Sequence, residues 1–138
     1  MHYAYECEVL TTNTVSNPVI QPIKLAAGWV RHVSITFPPG CNRHVRCYLK
    51  DRSSQVLPTN LDGYYAESAY PVEIQCYIQL TTEDNQLWFV GWSVDASWPH
   101  IISILVQVEG PDEPNIWRVL EGFSNLLERF TDLLRRVF

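Results

Sequence analysis

The chain has 138 residues, of which 46% are hydrophobic and 18% charged, a mixture typical of one globular domain and not of a disordered chain. Its net charge is −5, and before residue 115 it has 12 Asp and Glu against 6 Lys and Arg. Phosphate contacts need a clustered basic surface. We therefore expect no nucleic-acid partner.

The same composition bears on the cellular compartment. No run approaches the roughly 18 apolar residues of a membrane span. The chain begins MHYAYE, without the basic and then apolar segments of a signal peptide. We expect synthesis in the host cytoplasm, where buried free thiols are the default state of cysteines. This expectation applies to Cys7, Cys41, Cys47 and Cys76.

Apolar residues alternate with a period of two through the first 110 residues, which predicts half-buried β-strands. In the third strand the alternation places Trp29, Val33 and Ile35 on the buried face. The last two strands are apolar on both faces or nearly so, and we expect them to be central in their sheets. The predicted strands are Tyr3–Val9, Ile23–Ala27, Trp29–Phe37, Arg43–Lys50, Val72–Leu80, Leu87–Val94 and His100–Val108.

Six to eight short strands without intervening helices predict a mainly β fold. We expect residues 1–110 to form an antiparallel β-sandwich or jelly-roll-like barrel. The Pro-rich segment 111–114 is the expected hinge, and residues 115–138 are the expected C-terminal amphipathic α-helix.

This helix carries an unbroken heptad with three apolar residues in seven, a wider stripe than the two in seven of a coiled-coil seam. Ten apolar side chains can bury on the order of 1,000 Å², a gross gain of tens of kcal/mol before ordering costs. Because the preceding strands already form a core, we expect the partner surface on another copy, with a trimer or pentamer as the candidate homo-oligomer. The heptad residues are Ile116, Val119, Leu120, Phe123, Leu126, Leu127, Phe130, Leu133, Leu134 and Val137.

No pattern predicts catalysis, a metal or a cofactor. Cys41, His44 and Cys47 have metal-like spacing, but on a strand His44 would face away from Cys47, and a fourth ligand is missing. No serine lies in a G-x-S-x-G turn, and no glycine-rich phosphate loop is present. We therefore expect a protein that is not an enzyme and binds no cofactor.

The sequence leaves two alternative functions open. Tyr64, Tyr65 and Trp98 are candidates for an exposed patch, and flat rings of this kind would suit a carbohydrate-binding β-sandwich module. A peripheral membrane protein would instead lay the helix on lipid. Its net charge of +1 over residues 115–138 argues against that role, since anionic lipid selects several Lys or Arg.

Three short runs resemble small β-sandwich virion proteins of tailed bacteriophages: FPPGC at 37–41, LPTNLDGYYA at 57–66 and FVGW at 89–92. The resemblance covers roughly residues 3–108. It implies a structural role in the virion, such as a capsid decoration or minor structural protein, with another virion protein such as the major capsid protein as a partner. It implies no catalytic residue.

Overall fold

The computed structural model describes residues 1–52, 54–110 and 116–137, with the side chains of the helix described from residue 120. The predicted hinge at 111–114 lies outside these residues. The elements in chain order are β1 His2–Val9, β2 Val19–Lys24, β3 Gly28–Thr36, β4 Val45–Lys50, β5 Gln55–Leu57, β6 Pro71–Leu80, β7 Gln86–Ser93, β8 His100–Glu109 and α1 Ile116–Val137.

The eight strands form two four-stranded sheets, and every neighbouring pair is antiparallel. The first sheet has the order β1-β8-β3-β6, and the second has the order β2-β7-β4-β5. This alternation of the chain between two sheets is the jelly-roll arrangement. The predicted antiparallel sandwich is confirmed.

The core lies between the two inner faces. Val30, Val33 and Ile35 of β3 are fully buried there, as are Phe37 and Phe89. The predicted central position of the last two strands is confirmed, because β7 lies between β2 and β4 and β8 lies between β1 and β3. Full alternation on β6 is also confirmed, with its apolar side chains packed against the core.

Two predicted strand boundaries were wrong, and one strand was missed. β2 runs over Val19–Lys24 and not Ile23–Ala27. It contains Pro22, which is tolerated because β2 is at the edge of its sheet. β4 begins at Val45 and not at Arg43, since Asn42 and Arg43 have positive φ angles of 47° and 62°, a turn conformation. The short β5, Gln55–Leu57, is not among the predicted strands.

The predicted face of Trp29 was also wrong. A β-bulge between Val30 and His32 adds one residue to β3 and reverses the alternation before it. Val30 therefore points into the core beside Val33, whereas Trp29 is half-buried outside it. There its ring lies 4.4 Å from that of Tyr77.

The C-terminal helix is confirmed as α1, Ile116–Val137. Every described side chain of α1, from Leu120 to Val137, is exposed. Arg135 and Arg136 occupy its last turn, where the helix dipole favours cations. Among the helices that the structure describes, none is long and apolar enough to cross a membrane.

Candidate functional site

The first candidate site is the apolar face of α1. Its side chains are 44% to 75% exposed, although they belong to residue types that are usually buried. Ile116 and Val119 were predicted to belong to this face, but their side chains lie outside the described part of the helix. We call the described set the helix face: Leu120, Phe123, Leu126, Leu127, Phe130, Leu133, Leu134 and Val137.

The rest of the described helix surface carries charges of both signs. It has three acidic and three basic side chains, and its net charge is therefore zero. The acidic residues are Glu121, Glu128 and Asp132, and the basic residues are Arg129, Arg135 and Arg136. A mixed polar surface of this kind stays in water while the apolar side is covered.

The second candidate site is a cleft on the outer face of the second sheet. Alternation along β4 turns Cys47 into the core and places Arg46 and Tyr48 outside. The register with β7 sets Arg46 opposite Trp92 and Tyr48 opposite Val90. Two adjacent strands thus bring a cation and aromatic rings together.

The loop after β5 forms one wall of this cleft. The side-chain nitrogen Nε2 of Gln55 lies 2.8, 3.0 and 2.9 Å from the carbonyl oxygens of Pro58, Asn60 and Gly63, so that its two hydrogens are shared among three acceptors. A single side chain thereby holds both arms of the loop.

Backbone hydrogen bonds place Tyr64, and not Tyr65, in the lining of the cleft. Tyr65 and Cys47 exchange two backbone hydrogen bonds, with N–O distances of 2.8 and 3.0 Å. Tyr65 consequently packs against the core, and its neighbour Tyr64 lines the cleft. Tyr64 is 39% exposed.

The rings of the cleft form a connected group. The Trp92 ring lies edge-on to those of Tyr48 and Tyr64, with centroids 5.9 and 6.1 Å away. The guanidinium carbon of Arg46 lies over the Tyr64 ring at 4.6 Å from its centroid. The cleft has a volume of about 470 Å³, and Asp62 is also in its lining.

The predicted patch of Tyr64, Tyr65 and Trp98 does not form one surface in this cleft. Only Tyr64 lines it. Trp98 is 57% exposed and lies against His100, with ring centroids 5.9 Å apart. Sequence reasoning did not select Arg46 as a site residue, although the alternation of β4 already placed it outside; the missing information was its register with β7.

The cysteines and histidine with metal-like spacing do not converge. Cys41 and Cys47 are buried, whereas the Nδ1 atom of His44 lies 2.8 Å from the carbonyl oxygen of Val94. In the described parts of the chain, no group of three or more His, Cys, Asp or Glu is arranged to hold a metal ion.

All four cysteines are free, as predicted, but Cys76 is half-buried and not fully buried. Burial raises the pKa of Cys7 to about 11 and that of Cys47 further, with the proximity of Cys7 contributing at Cys47. The neutral thiol form is favoured at both positions, and a neutral buried thiol is a poor nucleophile.

One polar cluster was missed by sequence spacing. On the outer face of the first sheet, Glu73 lies 2.5 Å from the Nε2 atom of His32 and accepts a hydrogen bond of 3.0 Å from Ser34. These two bonds, His32 first, lower the pKa of Glu73. The carboxylate lies between the hydroxyl and the imidazole, so the cluster lacks the direct Ser–His contact of an activated nucleophile.

Comparison with known proteins adds little to this geometry. No family model matches the chain, and no curated protein matches it. Among solved structures, the chain is similar to the crystal structure of the Yersinia pseudotuberculosis-derived mitogen, with a TM-score of 0.44 and 10% identity. That likeness covers 83% of this chain and 92% of the mitogen chain. It carries no argument about function.

Proposed function

We propose that the protein is a non-enzymatic, self-associating structural protein, and specifically a phage virion component such as a capsid decoration or minor structural protein. The observation that carries the proposal is the exposed helix face. Eight apolar side chains along α1, Phe123 and Phe130 among them, remain in water in the single chain. Exposed apolar surface on this scale typically marks an interaction site.

A second copy of the chain is the occupant that best fits this face. A specific interface buries about 800 Å² on each partner, and a ten-residue apolar stripe supplies on the order of 1,000 Å². The stripe keeps its seven-residue repeat throughout, which is the pattern that lets helices pack lengthwise against one another. Its third apolar position per heptad favours more than two helices, in line with a trimer or pentamer.

The charges of the helix argue against a lipid surface as the occupant. Interfacial helices use a Lys- and Arg-rich polar face to bind anionic lipid. The described polar surface of α1 has three charges of each sign. Protein association therefore accounts for the helix face better than membrane binding.

The virion part of the proposal comes from the short runs that resemble phage virion proteins. A jelly-roll fold suits this role, but it also occurs in lectins and other proteins, so the fold alone does not select it. The expected partners are further copies of the chain and a second virion protein, such as the major capsid protein, with assembly in the host cytoplasm.

Co-expression with the structural genes that neighbour this gene tests the virion role. We expect the intact chain to sediment with the assembled particles and to be visible on them by cryo-electron microscopy. A chain with Phe130→Asp should remain in the soluble fraction, whereas the surface control Glu128→Gln should sediment. Particles that form without the intact chain bound would contradict the proposed role.

A further inference from the structure

The cleft on the second sheet contains a cation, Arg46, that forms no direct ion pair with any carboxylate that the structure describes. The Nε atom of Arg46 is buried and makes no hydrogen bond. Its guanidinium contacts the Tyr64 ring but forms no ion pair with any residue that the structure describes. Asp62 lines the same cleft without pairing with it. A guanidinium group has five N–H donors, and the ring contact uses none of them as a hydrogen bond, so its terminal N–H groups can bind an acceptor from outside the chain.

A second arginine of the sandwich, Arg31, has both an aromatic contact and a carboxylate partner. Arg31 lies over the ring of Tyr77 at 4.8 Å, close to the 4.6 Å between Arg46 and Tyr64. Arg31 also forms an ion pair of 3.0 Å with Glu109. The two arginines share the aromatic contact and differ in the carboxylate. Among the described residues, no carboxylate lies beside Arg46 as Glu109 lies beside Arg31.

We propose that the cleft binds a carboxylate-bearing sugar residue of a glycan, such as a uronic or sialic acid. The planar guanidinium of Arg46 matches a carboxylate through two parallel hydrogen bonds. The rings of Tyr48, Tyr64 and Trp92 supply an apolar wall for the C–H face of the sugar. Asp62 supplies acceptor oxygens for sugar hydroxyls. The volume of about 470 Å³ is in the range of small-ligand sites.

The charges in the lining select a carboxylated sugar over a phosphorylated ligand. Among the described residues of the lining, Arg46 and Asp62 are the charged ones, and their charges cancel. A phosphate monoester carries a charge of about −1.5 to −2 at pH 7, which one arginine beside one carboxylate does not balance. One cation beside one hydroxyl acceptor instead suits a singly charged, hydroxyl-rich ring.

Isothermal titration calorimetry on the intact chain tests the proposal with four probes: a glucuronate oligosaccharide, sialyllactose, neutral lactose and N-acetylglutamate. We expect saturable binding of one of the two acidic sugars, and which of them binds identifies the sugar class. Lactose and N-acetylglutamate should bind at least tenfold more weakly, because each lacks either the carboxylate or the sugar ring. Binding of neither acidic sugar, or equal binding of either control, would overturn the proposal.

Substitutions of the lining residues test whether the acidic sugar binds in the cleft. Arg46→Met removes the charge and keeps the aliphatic stem, and Tyr64→Ala removes the exposed ring; each should weaken binding of the acidic sugar tenfold or more. Arg46→Lys should give an intermediate loss, because the ammonium group lacks the planar fork. Arg31→Met is the matched control and should bind like the original chain, as should Trp98→Ala.

The fold of each variant is checked by circular dichroism. If Arg46→Met does not fold, Tyr64→Ala carries the test, since the Tyr64 side chain is partly exposed. Unchanged affinity in a folded variant of either residue would overturn the proposal. No residue from the described part of α1 lines the cleft, so this outcome is independent of the proposed self-association.

Discussion

The sandwich and the helix contain the same kinds of apolar residues in opposite environments. Phe37 and Phe89 of the sandwich are fully buried, whereas Phe123 and Phe130 of α1 are 59% and 60% exposed. Each sheet of the sandwich covers the apolar face of the other. The helix face has no such cover in the single chain. The apolar faces of the sandwich are thus covered within one chain, whereas the helix face is the surface for which we propose a second copy as partner.

The largest expected difference separates Phe89→Ala from Phe130→Ala. Removing a buried ring leaves a cavity, so Phe89→Ala should lower the free energy of unfolding of the sandwich by about 3–5 kcal/mol. Phe130→Ala should change it by less than about 0.5 kcal/mol, because that ring is exposed and lies outside the core. Urea denaturation followed by tryptophan fluorescence measures both values. Similar losses in the two variants would place the helix against the sandwich.

A charge on the helix face should weaken association strongly. Phe123→Asp places a carboxylate where an interface would remove it from water, at a cost of several kcal/mol. Glu121→Gln changes a polar position of the same helix and should leave association unchanged. Sedimentation equilibrium at several protein concentrations measures both. Equal effects would show that the seven-residue period does not define the interface.

Gly28 in the sandwich and Gly122 in the helix differ in the space available for an added side chain. A Cβ at Gly28, which has a φ of 148°, would lie 2.1 Å from the carbonyl oxygen of Glu109. Gly28→Ala should therefore destabilise the sandwich by about 1–3 kcal/mol. A Cβ at Gly122 meets nothing within 4 Å, and Gly122→Ala should stabilise the helix by about 1 kcal/mol. Thermal unfolding by circular dichroism records both; a destabilising Gly122→Ala would mean that a neighbouring backbone packs there.

The smallest expected effect is a pH dependence confined to the sandwich. The pKa of Cys7 is raised from 9.0 to about 11 by burial, so its thiol stays protonated in the folded chain while it ionises in the unfolded one. The unfolded state then binds fewer protons, and stability should fall as the pH rises from about 9 to 11. Denaturation at pH 8, 9 and 10 should show a shallower fall in Cys7→Ala than in the original chain. Identical slopes would contradict this assignment.

Uninterrupted periods explain which elements the sequence predicts well. β6 keeps strict alternation from Val72 to Leu80, and α1 repeats every seven residues, so one side-chain period identifies each element. The bulge in β3 breaks the period without any marker residue, and Trp29 was consequently assigned to the wrong face. Pro22 likewise made β2 hard to predict. A proline within a strand pattern is acceptable at a sheet edge, and the sequence does not tell which strands lie at an edge.

The cleft was not predictable for a related reason. Arg46 and Trp92 lie 46 positions apart in the chain and meet because β4 and β7 pair in one register. Alternation along β4 places Arg46 on an outer face, but it does not tell which strand is the neighbour of β4. The helix face was easier to predict, since its residues are close in sequence and lie on one helix.

The native mass of the chain in solution, measured by light scattering, tests the central claim most directly. We predict that the intact chain has a mass of two or more times 16.0 kDa, the mass of one chain. A chain lacking residues 115–138 should have the mass of a single chain and keep the circular dichroism of β-strands. An intact chain of 16.0 kDa at all concentrations, or a shortened chain that keeps the same oligomeric order, would contradict self-association through the helix.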